Sequence, residues 1–196
     1  MTTLVVVRKQ GLIAIAGDTL TTYGNTLETA RYIRNHDKLL RVADSIVAIT
    51  GSPTFSLIVK DYFGRRPAEA KFGSVESIFL AWNRLHKALK EDYHILPEEH
   101  EDDALESSRF DALIANSQGI FGVSAERTVQ EFVKYYAYGG GASYAMGAMY
   151  AGYDRPELDA QGIARLAIEA AAEFDDGTAL PATCVCIPAA AEQDGG

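Results

Sequence analysis

The sequence predicts an α+β fold, a four-layer αββα sandwich in which two antiparallel sheets are covered by helices. Three observations carry this expectation. Strand-like and helix-like runs come in blocks, strands, two helices, strands, two helices, rather than in the one-for-one alternation of a doubly wound parallel sheet. Short turns join the strand runs, and only antiparallel partners can be joined that way. Finally, 47% of the 196 residues are apolar and 10% aromatic, enough for one core, and no linker or internal repeat divides residues 1–196 into more than a single domain.

Thr3 to Lys9 and Leu12 to Gly17 are β-rich runs that turn at Gln10-Gly11, and Lys38 to Val42 and Ser45 to Thr50 form a second pair turning at Ala43-Asp44. Phe55 to Phe63 then joins an amphipathic helix, in which Val75, Ile78, Phe79, Trp82, Leu85 and Leu89 recur at helical spacing, to make one helical layer. Phe110 to Asn116, Ile120 to Val123 and Val129 to Tyr138 read as strands, the first two separated by the turn cluster Ser117-Gln118-Gly119. Helices are expected over Ala142 to Tyr150 and Asp159 to Phe174, the second with Ile163, Leu166, Ala167, Ala170 and Phe174 on its apolar face. A strand from Ala182 to Ile187 closes the fold, and 188–196 reads as a frayed tail.

With 27 acidic against 18 basic side chains, the formal charge of −9 argues against a nucleic-acid or anionic-membrane partner. Eight of the acids and none of the bases lie in 91–106, which reads as a solvated acidic loop. No run is long enough to span a membrane and the N-terminus lacks a secretion signal, so a cytoplasmic location is expected. Cys184 and Cys186, at i and i+2, sit badly for a mutual disulfide, and His36, His86, His94 and His100 supply no ligand-like spacing. Two buried small side chains is the simpler reading, and no metal or cofactor is expected.

The chemistry begins at the N-terminus. Thr2 follows the initiator Met1, and its small side chain suits removal of that methionine. Trimming would leave one residue holding both a hydroxyl nucleophile and an α-amine of pKa about 8 able to take its proton. Threonine after methionine is common, so the flanking sequence decides: Thr2-Thr3-Leu4-Val5-Val6-Val7-Arg8-Lys9, then Gly11 to Gly17-Asp18, then Thr21-Thr22-Tyr23-Gly24-Asn25-Thr26.

These runs resemble the bacterial proteasome-like peptidases of the N-terminal nucleophile class, and the opening is especially similar to the HslV protease subunit. The triple glycine and the acidic loop resemble a divergent branch more closely, the betaproteobacterial proteasome homologue. The resemblance implies Asp18 as the carboxylate that holds a catalytic lysine. An ungapped count places Arg34 at the lysine position, whereas Lys38 fits if Tyr32 to Asp37 absorbs an insertion. A compact ammonium also suits lowering the pKa of a neighbouring amine better than a broad guanidinium does. Gly51, in Ile49-Thr50-Gly51-Ser52, matches the backbone oxyanion donor. Asp175 with Thr178, in Phe174-Asp175-Asp176-Gly177-Thr178, matches the pair that orients the Thr2 amine, with Asp176 as the alternative carboxylate.

One departure stands out. Where the family commonly has a serine before a glycine pair, Tyr138-Gly139-Gly140-Gly141-Ala142-Ser143 places Gly140, so a proton-relaying hydroxyl is missing unless Ser143 or water replaces it. The glycines also suggest a phosphate cradle, but the third glycine of that fingerprint is absent. The resemblance implies a threonine endopeptidase acting on peptides or unfolded proteins, bound as an added β-strand along Thr22 and Gly51, with Ile49 and Pro53 shaping a specificity pocket. It also implies a homo-oligomeric double ring, of fourteen subunits rather than twelve, that an ATPase unfoldase could feed. The alternatives are a small-amide hydrolase of the same class and a ring-forming scaffold with a weakened site.

Overall fold

The computed structural model describes residues 2–96 and 105–190. The acidic run Glu98 to Asp103 and the tail residues 191–196 lie outside them. A four-stranded antiparallel sheet has the order β10-β1-β2-β11, from Tyr135–Gly139, Thr3–Lys9, Leu12–Asp18 and Ala182–Pro188. A five-stranded sheet runs β5-β6-β7-β8-β9, from Leu39–Val42, Ser45–Ile49, Ala112–Ala115, Ile120–Val123 and Val129–Phe132.

Strand alternation builds the layers. Val5 and Val7 of β1, with Ala14 and Ala16 of β2, point outward under α3 (Ala142–Gly152) and α4 (Ala160–Phe174), where Met149, Ile163, Ala167 and Ile168 meet them. The alternate residues Leu4, Val6, Ile13 and Ile15 point inward, onto Ile46, Ala48, Leu113 and Ala115 of the facing sheet. Val47, Ile49, Ala112 and Ile114 then point out again, under α1 (Pro53–Arg65) and α2 (Val75–Glu91), whose Val59, Phe63, Trp82 and Leu85 fill the other outer layer. Period-two patterning that is apolar on both faces requires cover on both, and the αββα arrangement supplies it. Helices α1, α2 and α4 start where their capping residues stand: Ser52 before Pro53, Ser74 in a reciprocal box with Ser77, and Asp159 accepting from the Gly162 N–H at 2.7 Å.

Three expectations need correction. The run Val129 to Tyr138 is not one strand: it breaks at Val133-Lys134, β9 pairing with β8 in one sheet and β10 with β1 in the other. The Arg8 N–H donates to the Lys134 carbonyl at 2.7 Å across that crossing. No glycine or proline marks the break, so the continuous β-prone run hides it. A short hairpin, β3 (Thr21–Tyr23) with β4 (Thr26–Glu28), also goes unseen, because three-residue strands show no periodicity. Lastly, Cys184 and Cys186 are free and neither is buried: on β11, an edge strand, Cys184 is partly exposed and Cys186 exposed.

The residues following the undescribed acidic run are anchored on α2. Glu106 accepts from Lys90 Nζ at 2.6 Å and meets His86 Nε2 at 2.9 Å, and these partners hold its carboxyl down at about 2. Because the folded pKa lies below the usual 4.5, the group stabilises the fold above pH 4.5 and loses that contribution as pH falls toward 2. Melting curves of Glu106→Gln and the unsubstituted protein are therefore expected to differ at neutral pH and to converge across that acid window.

Candidate active site

Thr2 stands at the head of β1 with 4% of its surface exposed. The glycine loop after β10 fixes its backbone. Gly140 N–H donates to the Thr2 carbonyl at 2.9 Å, and Gly139, at φ +102°, lies so close that a Cβ there would collide with the same oxygen. This contact accounts for Gly139, and a Cβ at Gly141 would meet Thr3 Oγ1 and the Ala171 side chain, so both close on protein rather than framing an anion cradle. Gly140 itself is exposed, and so is Ser143 in the first turn of α3.

Asp18 ends β2 completely buried, and three donors meet its carboxylate: Thr3 N–H at 2.9 Å and Lys38 Nζ at 2.8 Å on Oδ1, and Leu20 N–H at 3.0 Å on Oδ2. A buried carboxylate is tolerated when it is satisfied in this way. Lys38, immediately before β5, leaves only 11% of its side chain exposed. Burial pulls its ammonium below the ordinary lysine range, while the charge of Asp18 and the hydrogen bond to it act in the opposite direction. Arg34 is exposed in the preceding turn, and the loop before β5 brings Lys38 to Asp18.

A cavity of about 670 Å³ opens beside Thr2. Its walls include Lys38, Thr22, Ile49, Gly51 and Pro53, so these expected positions face one space. Gly51 adopts φ +82° at the junction of β6 and α1, a conformation that costs other residues energy, and among the described residues no acceptor takes its N–H. An N–H held at a cavity wall by a rigid strand end can stabilise negative charge that develops there. The loop before β5 contributes Asn35, His36 and Asp37, which the sequence reading did not assign to the site.

Asp175 and Thr178 lie together in the turn after α4, and Thr178 meets Thr3. Thr178 Oγ1 donates to Asp175 Oδ2 at 2.6 Å and sits 2.6 Å from Thr3 Oγ1. Asp176, the alternative carboxylate, is exposed. Thr3 is a further site-adjacent residue that sequence reasoning missed, and its signal was a hydroxyl heading β1 just before the apolar run Leu4 to Val7.

No protein-family model matches the sequence, and no curated protein does. Among solved structures, Thiobacillus denitrificans BPH, a betaproteobacterial proteasome homologue, is 54% identical, with a TM-score of 0.88 over 95% of this chain and 97% of that one. The chain belongs to the betaproteobacterial proteasome homologue family. A second BPH structure, in complex with epoxomicin, matches at 52% identity and TM-score 0.88, covering 96% of this chain and all of that one. HslV from Trypanosoma brucei, at 20% identity and TM-score 0.68 over 95% of this chain and 99% of that one, shares the fold of this BPH family member. Among the described residues no helix is long and apolar enough to cross a membrane.

Proposed function

We propose that this BPH family member is a threonine endopeptidase whose nucleophile is Thr2. One observation carries the reading: Thr2, the Lys38 ammonium held by buried Asp18, and the Gly51 N–H border the same cavity. After removal of Met1, the Thr2 α-amine takes the hydroxyl proton as Oγ1 attacks the peptide carbonyl carbon. The Gly51 N–H faces the resulting oxyanion. Collapse passes the proton to the leaving amine and forms a Thr2 ester, and water, deprotonated by the same α-amine, then cleaves the ester and frees the carboxylic acid. The Lys38 charge favours the neutral amine and so keeps it available as a base. Thr22 on β3 and Gly51 both line the cavity, in keeping with an extended peptide added as a strand there, with Ile49 and Pro53 forming an apolar part of the wall.

The epoxomicin-bound relative supports the reading and supplies the test. An epoxyketone offers two adjacent electrophiles, which the amine and hydroxyl of an N-terminal threonine can engage together. Incubation with epoxomicin is expected to add one inhibitor mass to the Thr2 peptide, with none added in Thr2→Ala. A protein that stays unmodified while folded favours the scaffold alternative, for which the missing hydroxyl at Gly140 is the specific observation. Lys38→Ala is expected to abolish peptide hydrolysis and Arg34→Ala to retain it, measured by steady-state turnover of a fluorogenic peptide. The reverse result moves the basic role to Arg34.

A double ring enclosing the sites is part of the proposal. Helix α3 carries no charged residue yet leaves Tyr144 and Tyr150 exposed, beside exposed Phe174 of α4, which is apolar surface suited to a neighbouring subunit. Twelve copies of the 21.2 kDa chain give about 254 kDa and fourteen give about 297 kDa. Native mass spectrometry is expected to show the fourteen-subunit species. A peptide-cleaving monomer would favour the small-amide hydrolase instead.

A further inference from the structure

The hydroxyl of Thr3 joins two parts of the site that the chain brings together from opposite ends. Thr178 donates to Asp175, so its oxygen is free to accept, and Thr3 Oγ1 at 2.6 Å is the donor that fits. The Thr3 oxygen accepts in turn from Gly141 N–H at 3.1 Å. The hydrogen bonds therefore run in one direction: Gly141 N–H to Thr3, Thr3 to Thr178, Thr178 to Asp175. Thr3 is wholly buried and Thr178 nearly so, so water does not compete freely for these bonds.

The same residue is held through its backbone as well. The Thr3 N–H donates to Asp18 Oδ1, the oxygen that also receives Lys38 Nζ, while the Thr2 carbonyl of the same peptide unit accepts from Gly140 N–H. The Thr2-Thr3 peptide is thus clamped by Asp18, by the glycine loop and by the turn carrying Thr178. A clamp on the peptide unit limits rotation of Thr2, whose amine and hydroxyl must both point at the cavity.

We infer that Thr3 is a positioning residue for the reaction, transmitting the orientation set by Asp175, Thr178 and the glycine loop to Thr2 without itself touching substrate. The inference rests on the threonine-peptidase reading for its kinetic consequence, but the orientation it describes can be measured without turnover.

The test uses Thr3→Val, which keeps the shape and removes the hydroxyl, Thr3→Ser, which restores it, and Thr178→Ala, which interrupts the chain at its other end. For Thr3→Val, kcat on a fluorogenic peptide is expected to fall roughly tenfold or more with little change in KM, with Thr3→Ser recovering most of the loss. Combining Thr3→Val with Thr178→Ala is expected to cost no more than the larger single effect, because both break one chain. Should Thr3→Val fail to fold, Thr178→Ala carries the same kcat expectation. Periodate, which cleaves an N-terminal 1,2-amino-alcohol whether or not the site is active, reads the Thr2 amine directly. Its pH midpoint, mapped on the N-terminal peptide, is expected to shift in Thr3→Val and to return in Thr3→Ser. A midpoint shift in Thr3→Val, when the wild type cleaves no peptide, supports the positioning role and removes the peptidase reading. Folded Thr3→Val with native kcat and an unmoved periodate midpoint overturns the inference, and so do independent, multiplying effects of Thr3→Val and Thr178→Ala.

Discussion

Replacing Thr2 with alanine is expected to lower peptide hydrolysis by at least about three orders of magnitude while leaving the fold intact, because the substitution removes the only group proposed to form the acyl intermediate. Thr2 is nearly buried, but its side chain borders the cavity and no core cluster includes it, so truncation opens no hole between the sheets. Thr2→Ser keeps the amino-alcohol and is expected to retain measurable turnover. The same mechanism requires a free α-amine, so intact mass spectrometry of active protein is expected to show a chain beginning at Thr2. A population that retains Met1 and cleaves peptides at the full rate would remove the amine from the mechanism.

The second large effect concerns Asp18. Asp18→Ala strands the Lys38 ammonium, 11% exposed, and leaves the Thr3 and Leu20 N–H groups without their acceptor. Removing one partner of a buried ion pair costs about 3–5 kcal/mol, since the other charge stays buried without compensation. A loss of that order by denaturant unfolding is expected, together with loss of turnover. Asp18→Asn combined with Lys38→Met separates the two consequences. Without any charge to compensate, the double variant is expected to recover much of the stability and none of the activity. Recovery of activity as well would show that Lys38 is a structural counterion and not part of the proton chemistry.

Much of the fold was legible because its signals are local. The alternation in β1 and β2, and the spacing of Ile78, Trp82 and Leu85 along α2, follow from how a strand or helix presents its side chains, whatever lies elsewhere. The layer order followed from the blocks of strands and helices. Where a local signal was missing the reading failed, as at Val133-Lys134, where the chain changes sheets with no turn residue to mark it.

Of the site, the sequence by itself determined the Thr-Thr opening, the Gly17-Asp18 strand end and the residue types that a threonine nucleophile needs. Only the tertiary structure decided which basic residue serves Asp18, because the path of the loop before β5, and not a count along the chain, returns Lys38 to within 2.8 Å and leaves Arg34 in solvent. It also decided that Thr178 meets Thr3, across 175 residues of sequence. The physical reason is the same in both cases. A hydrogen bond between buried groups needs its distance right to within a few tenths of an ångström, which depends on how strand ends, loops and helices pack against one another, and the pattern of any single segment carries no record of that packing.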